Sequence, residues 1–301
     1  MRRSTLAAGT LLAIICSGPP AAALAAKIQL LTPEAAATLT GKTVTVTRRS
    51  DKPSFIAATA GKASFALIGV GAMIAEGNSI VRQNEIADPA DIVEAGLLPA
   101  LSQQYSLKPA EAVPHAIATG NDLRQIVAAA PASDLVVDIR SLGWNFNYYP
   151  THWGSYWVGY AVDVQLIDVK ANRVLMHMPC GANTQKVPSP PTKDALLADR
   201  AALLKTVLAS LAWNCTQLLA KEVFKVADGH VPEIPLAYRN PLGAPSTTDA
   251  ASSTPSSSAA TSEPAAAVAP APIAEAPAIP SPATATDGSA PDAPPPSAPA
   301  Q

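Results

Sequence analysis

Residues 134–178 read DLVVDIRSLGWNFNYYPTHWGSYWVGYAVDVQLIDVKANRVLMHM, and this stretch decides the fold. Leu135, Val137 and Ile139 alternate with Val136, Asp138 and Arg140, which is the period of a β-strand. Trp144, Phe146 and Tyr148 continue on one face of the same extended segment. Pro150-Thr151-His152-Trp153-Gly154 reads as a turn. From Tyr156 to Val169, residues Tyr156, Val158, Tyr160, Val162, Val164 and Leu166 line one face. Trp157, Gly159, Ala161, Asp163 and Gln165 line the other. Lys170-Ala171-Asn172 predicts a second turn, with Asn172 suited to a positive φ angle, and Arg173 to Met178 returns as a strand. Two long strands joined by a short turn are antiparallel, so any sheet built here contains antiparallel pairing.

Working outward, Lys42 to Arg48 places Val44 and Val46 among threonines, another β-branched strand, and Phe55 to Thr59 predicts a shorter one. Asp88-Pro89-Ala90-Asp91 opens a helix, with Asp88 as cap and Asp91 on the positive end of the dipole. Pro99 is expected to kink or end it. A helix over Asn121 to Ala130 buries Leu123, Ile126 and Val127. Thr192 to about Val226 predicts a long amphipathic helix, with Leu197, Leu204, Val207, Leu208, Leu211, Cys215, Leu218 and Leu219 as its apolar stripe and Thr192 as its cap. Ala63 to Ala75 carries no charge but is too short to span a bilayer. It predicts a buried core element, with self-association or membrane contact through Gly69 and Gly71 as the alternative. The fold expected is α+β (mixed α/β): one domain over residues 26–240, an antiparallel-containing sheet covered by helices on one face.

The ends have different chemistry. Residues 241–301 hold 14 of the 30 prolines, five acids and no Lys or Arg. Such a composition cannot offset the entropy of ordering, so a disordered Ala/Pro/Ser-rich C-terminal tail is expected. Met1-Arg2-Arg3, the apolar run Leu6 to Ile15, and Ala23-Leu24-Ala25 read as a signal peptide over residues 1–25. Cys16 is the candidate lipidation site, although Ile15 stands where a lipoprotein signal has a small residue. After removal of the leader, Cys180 and Cys215 remain. An even pair in an exported chain reads as a disulfide, with two buried thiols as the alternative. On the amphipathic stripe, Cys215 would face the sheet, so a bridge to Cys180 would staple helix to strand.

Charge and motifs exclude much. With 21 Lys+Arg against 23 Asp+Glu there is no basic excess for nucleic acid. His115, His152, His177 and His230 show no metal-ligand spacing, and there is no phosphate loop, dinucleotide loop or nucleophile elbow. No cofactor, metal or catalytic residue is expected. What remains is aromatic: Trp144, Phe146, Tyr148, Tyr149, Trp153, Tyr156 and Trp157 cluster in the hairpin. They predict either a stiff structural hairpin or a binding surface for a partner protein, a carbohydrate or a lipid headgroup.

The run DLVVDIRSLGWNFNYYPTHWGSYWVGYAVDVQLIDVKANRVL, followed by a Cys and then by PTKDALLADRAALLKTVLASLAWNC, resembles a group of exported Gram-negative proteins, many of them lipoproteins. IGVGAMIAEGNSIVRQNEIADPADIVEAGL extends the resemblance upstream, so it covers residues 42–226. It implies a periplasmic or outer-membrane-associated α/β module with Cys180 and Cys215 in matching places. It carries over no catalytic residue. The expectation is a non-enzymatic envelope binding or assembly module that meets another envelope protein. One alternative is an envelope-glycan hydrolase using Asp138 or Asp163 with His152. Another is a membrane-associated oligomer built on residues 63–75.

Overall fold

The computed structural model describes residues 28–49, 52–63, 66–111, 114–243 and 247–249. The expected signal peptide, Cys16 and most of the expected tail lie outside the described residues.

The hairpin of β5 (Leu135–Tyr149) and β6 (His152–Asp168) is the spine of the sheet. Its register follows the alternation: Val137 stands opposite Leu166, Ile139 opposite Val164, Phe146 opposite Val158 and Tyr148 opposite Tyr156. β7 (Arg173–Asn183) returns antiparallel to β6. Between them Asn172 takes φ 46, as its residue type allows, and the Asp168 carboxylate accepts from Ala171 N at 3.0 Å. On the other side β1 (Thr43–Arg49) runs parallel to β5, and β2 (Phe55–Ala58) continues that edge beside Trp144 to Asn147. β3 (Lys108–Pro109) and β4 (His115–Ala118) pair parallel with β1. β8 (Thr247–Asp249) closes the far side against Gly181 to Asn183. The sheet therefore runs β3-β1-β5-β6-β7-β8, with β2 beside β5 and β4 beside β1. β8 lies within the stretch 241–301 that composition set apart from the domain.

Six helices complete the described fold: α1 (Pro33–Ala37), α2 (Ala60–Ala63), α3 (Ala66–Gln83), α4 (Ala90–Tyr105), α5 (Leu123–Ala129) and α6 (Lys193–Leu218). The main core lies on the sheet face of Val44, Val46, Leu135, Val137, Val162, Val164, Leu166 and Met176, under α3, α4 and α6. Burying each such side chain contributes about 1.5–3 kcal/mol. The short α5 packs on the opposite face, where Ile126 meets Ala116, Ala118, Val136 and Ile167. Cys180 of β7 and Cys215 of α6 are joined by a disulfide across a Cα–Cα distance of 5.8 Å. The helix is thus stapled to the sheet.

Three local expectations change. Pro99 lies inside α4, and the helix continues six residues beyond it to Tyr105. Val93, Leu97, Ala100 and Leu101 are all buried along its length, and that packing outweighs the bond the proline removes. The long helix is not continuous. Thr192 caps it through Ala195 N at 3.2 Å, but Asp199, Arg200 and Ala201 adopt left-handed φ angles of 50, 56 and 57. A wide π turn over Leu219–Val223 then replaces its last stretch. Left-handed non-glycine residues are unfavourable, and here Leu196, Ala201 and Leu204, all buried, fix the path. Residues 66–75 are helical rather than wholly core: Met73 faces inward, while Val70, Gly71 and Ala72 are exposed. No helix among the described residues is long and apolar enough to cross a membrane.

Candidate functional site

The aromatic hairpin divides into two parts. Trp144, at 1% exposure, Phe146 and Tyr156 are core residues. They form edge-to-face contacts centred on Phe55 and Phe146: Phe55–Trp144 at 5.6 Å, Phe55–Phe146 at 5.7 Å and Phe146–Tyr156 at 5.4 Å. Indole Nε1 of Trp144 donates to Pro53 O at 2.8 Å, so even its polar edge is satisfied inside. These three were expected on a candidate binding surface; burial removes them from it. The physical reason is β2, which brings Phe55 against the inward face of β5 and which the hairpin sequence does not contain.

Tyr148, Tyr149, Trp153 and Trp157 remain at or near the surface. Trp153 is 70% exposed at the hairpin tip. Its Nε1 donates to Pro150 O at 2.7 Å, which holds the indole against its own turn. Tyr149 donates its hydroxyl to Gln185 O at 2.9 Å, anchoring the tip to the segment after β7. Tyr156 N donates to Pro191 O at 2.8 Å on the same side. Trp157 lies over the bare backbone of Gly159: a Cβ there would sit 3.0 Å from its ring. Two partly buried tyrosines and a braced tryptophan thus form the exposed end of an otherwise packed hairpin.

A polar row crosses the opposite face of the sheet from the main core. Strand register places Thr47 beside Asp138, Asp138 beside Gln165, Arg140 beside Asp163 and Gln165 beside His177. Arg49 Nη2 donates to both oxygens of Asp138, at 2.7 Å each, and Thr47 adds its hydroxyl to the same carboxylate. Arg140 Nη2 donates to Asp163 Oδ2 at 3.0 Å, while His177 Nε2 lies 2.6 Å from Asp163 Oδ1. Both carboxylates are buried. Burial pushes the Asp138 carboxyl above its ordinary range, and the guanidinium of Arg49 only partly opposes it. Burial also pushes Asp163 upward, but the hydrogen bond and charge of His177, together with Arg140, outweigh it and leave that carboxyl lowered.

The row corrects the hydrolase alternative in one respect. His152 is not near either carboxylate. It begins β6 opposite Tyr149, with its ring 3.0 Å from the Thr151 hydroxyl, and Asp163 lies eleven residues further along the strand. At ~3.3 Å per residue that is about 36 Å. The histidine that meets Asp163 is His177. Asp138 and Asp163 each face a guanidinium, which suits a buried ion-pair clamp between strands rather than a pair of carboxylates poised around a scissile bond. The row was invisible to spacing rules because its ion pairs join residues as far apart as 49 and 138. The one available signal was the polar interruption of apolar strands at Asp138, Arg140 and Asp163. Among the described residues, no group of three or more His, Cys, Asp or Glu could hold a metal ion.

No protein-family model matches the chain, and no curated protein matches its sequence. Among solved structures the chain is similar to the lipoprotein GNA1162 from Neisseria meningitidis, with 14% identity, a TM-score of 0.19, and coverage of 49% of this chain and 86% of that one. It is also similar to the hypothetical protein CT253 from Chlamydia trachomatis, with 12% identity, a TM-score of 0.26, and coverage of 62% and 97%.

Proposed function

We propose that the protein is a non-enzymatic binding or assembly module of the bacterial envelope, and that it engages another envelope protein through the tip of the β5–β6 hairpin. The observation that carries this reading is Trp153: a large ring, 70% exposed, held in one orientation by its bond to Pro150. A braced tryptophan loses little conformational entropy on binding and contributes a large apolar area, which is why such residues dominate interface energetics. Tyr148, Tyr149 and Trp157 widen the same end. The leader-like N-terminus and the Cys180–Cys215 bridge support an oxidising, exported location.

A photo-crosslinking residue at position 153 tests the proposal in living cells. The expected result is a discrete adduct to an envelope protein, absent when the crosslinker stands at exposed Leu236. Equal labelling from both positions, or none from 153, would exclude the hairpin tip as the contact.

A further inference from the structure

The polar row ends at a cleft of about 310 Å3. Arg49 of β1, Lys52, Arg140 and Ser141 of β5, and Gly120 and Asn121 of the loop before α5 line it. Among its described lining residues there are three cations and no acid. Two of those cations are only partly used. Arg49 directs Nη2 at Asp138, yet its Nε and Nη1 are buried with no hydrogen-bond partner among the described residues. Arg140 directs Nη2 at Asp163, and its Nε is likewise unpartnered. The two side chains are only 12% and 22% exposed. A guanidinium carries five N–H groups and no acceptor, so each arginine keeps N–H groups beyond those its carboxylate takes, in the wall of a cleft whose lining holds no acid. Lys52 is exposed and adds a third positive charge.

A neighbouring hollow shares these cations but reaches Asp88, Asp91 and Glu94 on the α4 side. Arg48 meets Glu94 at 3.5 Å, while Asp88 and Asp91 stay close enough to raise the Asp91 carboxyl, chiefly through burial and then through mutual repulsion. That side repels an anion. The α5 side, lined by Gly120, Asn121 and the three cations, has no acid in its lining, although the Ser141 hydroxyl on its wall donates to Asp88.

We infer that the cleft between Arg49, Lys52, Arg140 and the loop before α5 binds a phosphate-type oxyanion, carried either by a small soluble molecule or by a lipid headgroup. The N–H groups of Arg49 and Arg140 beyond those held by Asp138 and Asp163 suit the oxygens of such a group as donors, and the ammonium of Lys52 adds a positive charge. The cleft is larger than one phosphate, so part of the rest of the molecule enters with it. This site is separate from the hairpin tip, and nothing in it depends on a partner there.

Isotope-labelled protein titrated with inorganic phosphate, and then with glycerol 3-phosphate, at constant ionic strength tests the inference by amide chemical shifts. Saturable shifts confined to Lys52, Gly120, Asn121, Arg140 and Ser141 are expected. Lys52→Ala should weaken the apparent affinity about threefold and Lys52→Glu about tenfold, and neither exposed substitution disturbs the core. Flotation with phosphatidylglycerol vesicles, against phosphatidylcholine vesicles, separates the sources. Binding to the former that is lost in Lys52→Glu assigns a headgroup, whereas saturation by glycerol 3-phosphate without flotation assigns a soluble ligand. Shifts that never saturate, that map elsewhere, or that persist unchanged in Lys52→Glu overturn the inference.

Discussion

Two glycines on one helix should respond oppositely to the same substitution. Gly71 and Gly77 both lie in α3. At Gly71 an added Cβ meets nothing within 4 Å. Replacement by Ala there only removes backbone freedom from the unfolded chain, and should stabilise by about 0.5–1 kcal/mol. At Gly77 the same atom would lie 2.6 Å from the Phe55 carbonyl carbon and 3.1 Å from Ala57 N, with the Phe55 carbonyl oxygen nearer still. These are backbone atoms of β2, so no rotamer change relieves the contact. The neighbouring Asn78 fixes the approach, because its Oδ1 accepts from Phe55 N at 3.0 Å. Relief requires α3 to withdraw by roughly 1 Å, and overpacking of this kind costs about 1–3 kcal/mol. With the backbone immovable the upper end applies, and subtracting the helix-propensity gain leaves a net loss of about 2 kcal/mol. For a domain of this size that lowers the melting temperature by roughly 4–8 °C, while Gly71→Ala raises it by about 1–4 °C. Thermal and urea denaturation of the two oxidised variants beside the parent protein measure both. Shifts of the same sign, or a neutral Gly77→Ala, would refute the seating of α3 on β2, and with it the account of why Phe55 buries Trp144.

Trp144→Ala should cost about 3–5 kcal/mol as a buried aromatic, whereas Trp153→Ala should stay within about 0.5 kcal/mol; similar losses by denaturation would remove the division of the hairpin into core and surface. Removing the Cys180–Cys215 bridge, whose sequence separation is 35, should cost about 3–4 kcal/mol by loop-closure entropy, measured by urea unfolding with and without reductant; an unchanged midpoint would contradict it. Asp134 accepts from Lys170 at 2.8 Å, from Thr43 N at 3.0 Å and from Thr43 Oγ1 at 2.8 Å, which together hold its carboxyl well below the usual range. Because the folded value is depressed, this stabilisation is complete above the unfolded value of 3.8 and disappears as pH falls through the lower folded value. Asp134→Asn should therefore lose about 1–2 kcal/mol at pH 7 and flatten the fall in stability below about pH 4; a parallel pH profile in the variant would argue against the tie between the starts of β1 and β5.

The strands were legible because alternation is a local property. Each apolar residue of Tyr156 to Leu166 on the even-numbered face is buried in the main core, and the register of β5 on β6 follows from that face alone. The cap at Thr192 was readable for the same reason: a side chain and an amide three residues away suffice. Pro99 and the left-handed turn at Asp199 to Ala201 were not readable. Their backbone geometry is imposed by packing between helices distant in sequence, and local preference points the other way. The clamp of Arg49 on Asp138 and of His177 on Asp163 escaped for a related reason. Motif spacing registers neighbours along the chain, and these pairs are neighbours only across strands.

The sequence alone determined the α+β class, the antiparallel hairpin and the aromatic concentration of one segment, and it offered Cys180 and Cys215 as a pair that the structure joins. Each follows from periodicity, residue type or parity. Only the tertiary structure decided which aromatics are available to a partner. Trp144, Phe146 and Tyr148 share one face of one strand, yet Phe55 reaches the first two and not the tip beyond them. It likewise decided where cationic side chains collect. Arg49 and Arg140 come from separate strands, and parallel pairing of β1 with β5 brings both to one cleft wall. Burial depends on what a neighbouring element covers. Alternation sets the direction in which a side chain points; packing sets what it meets.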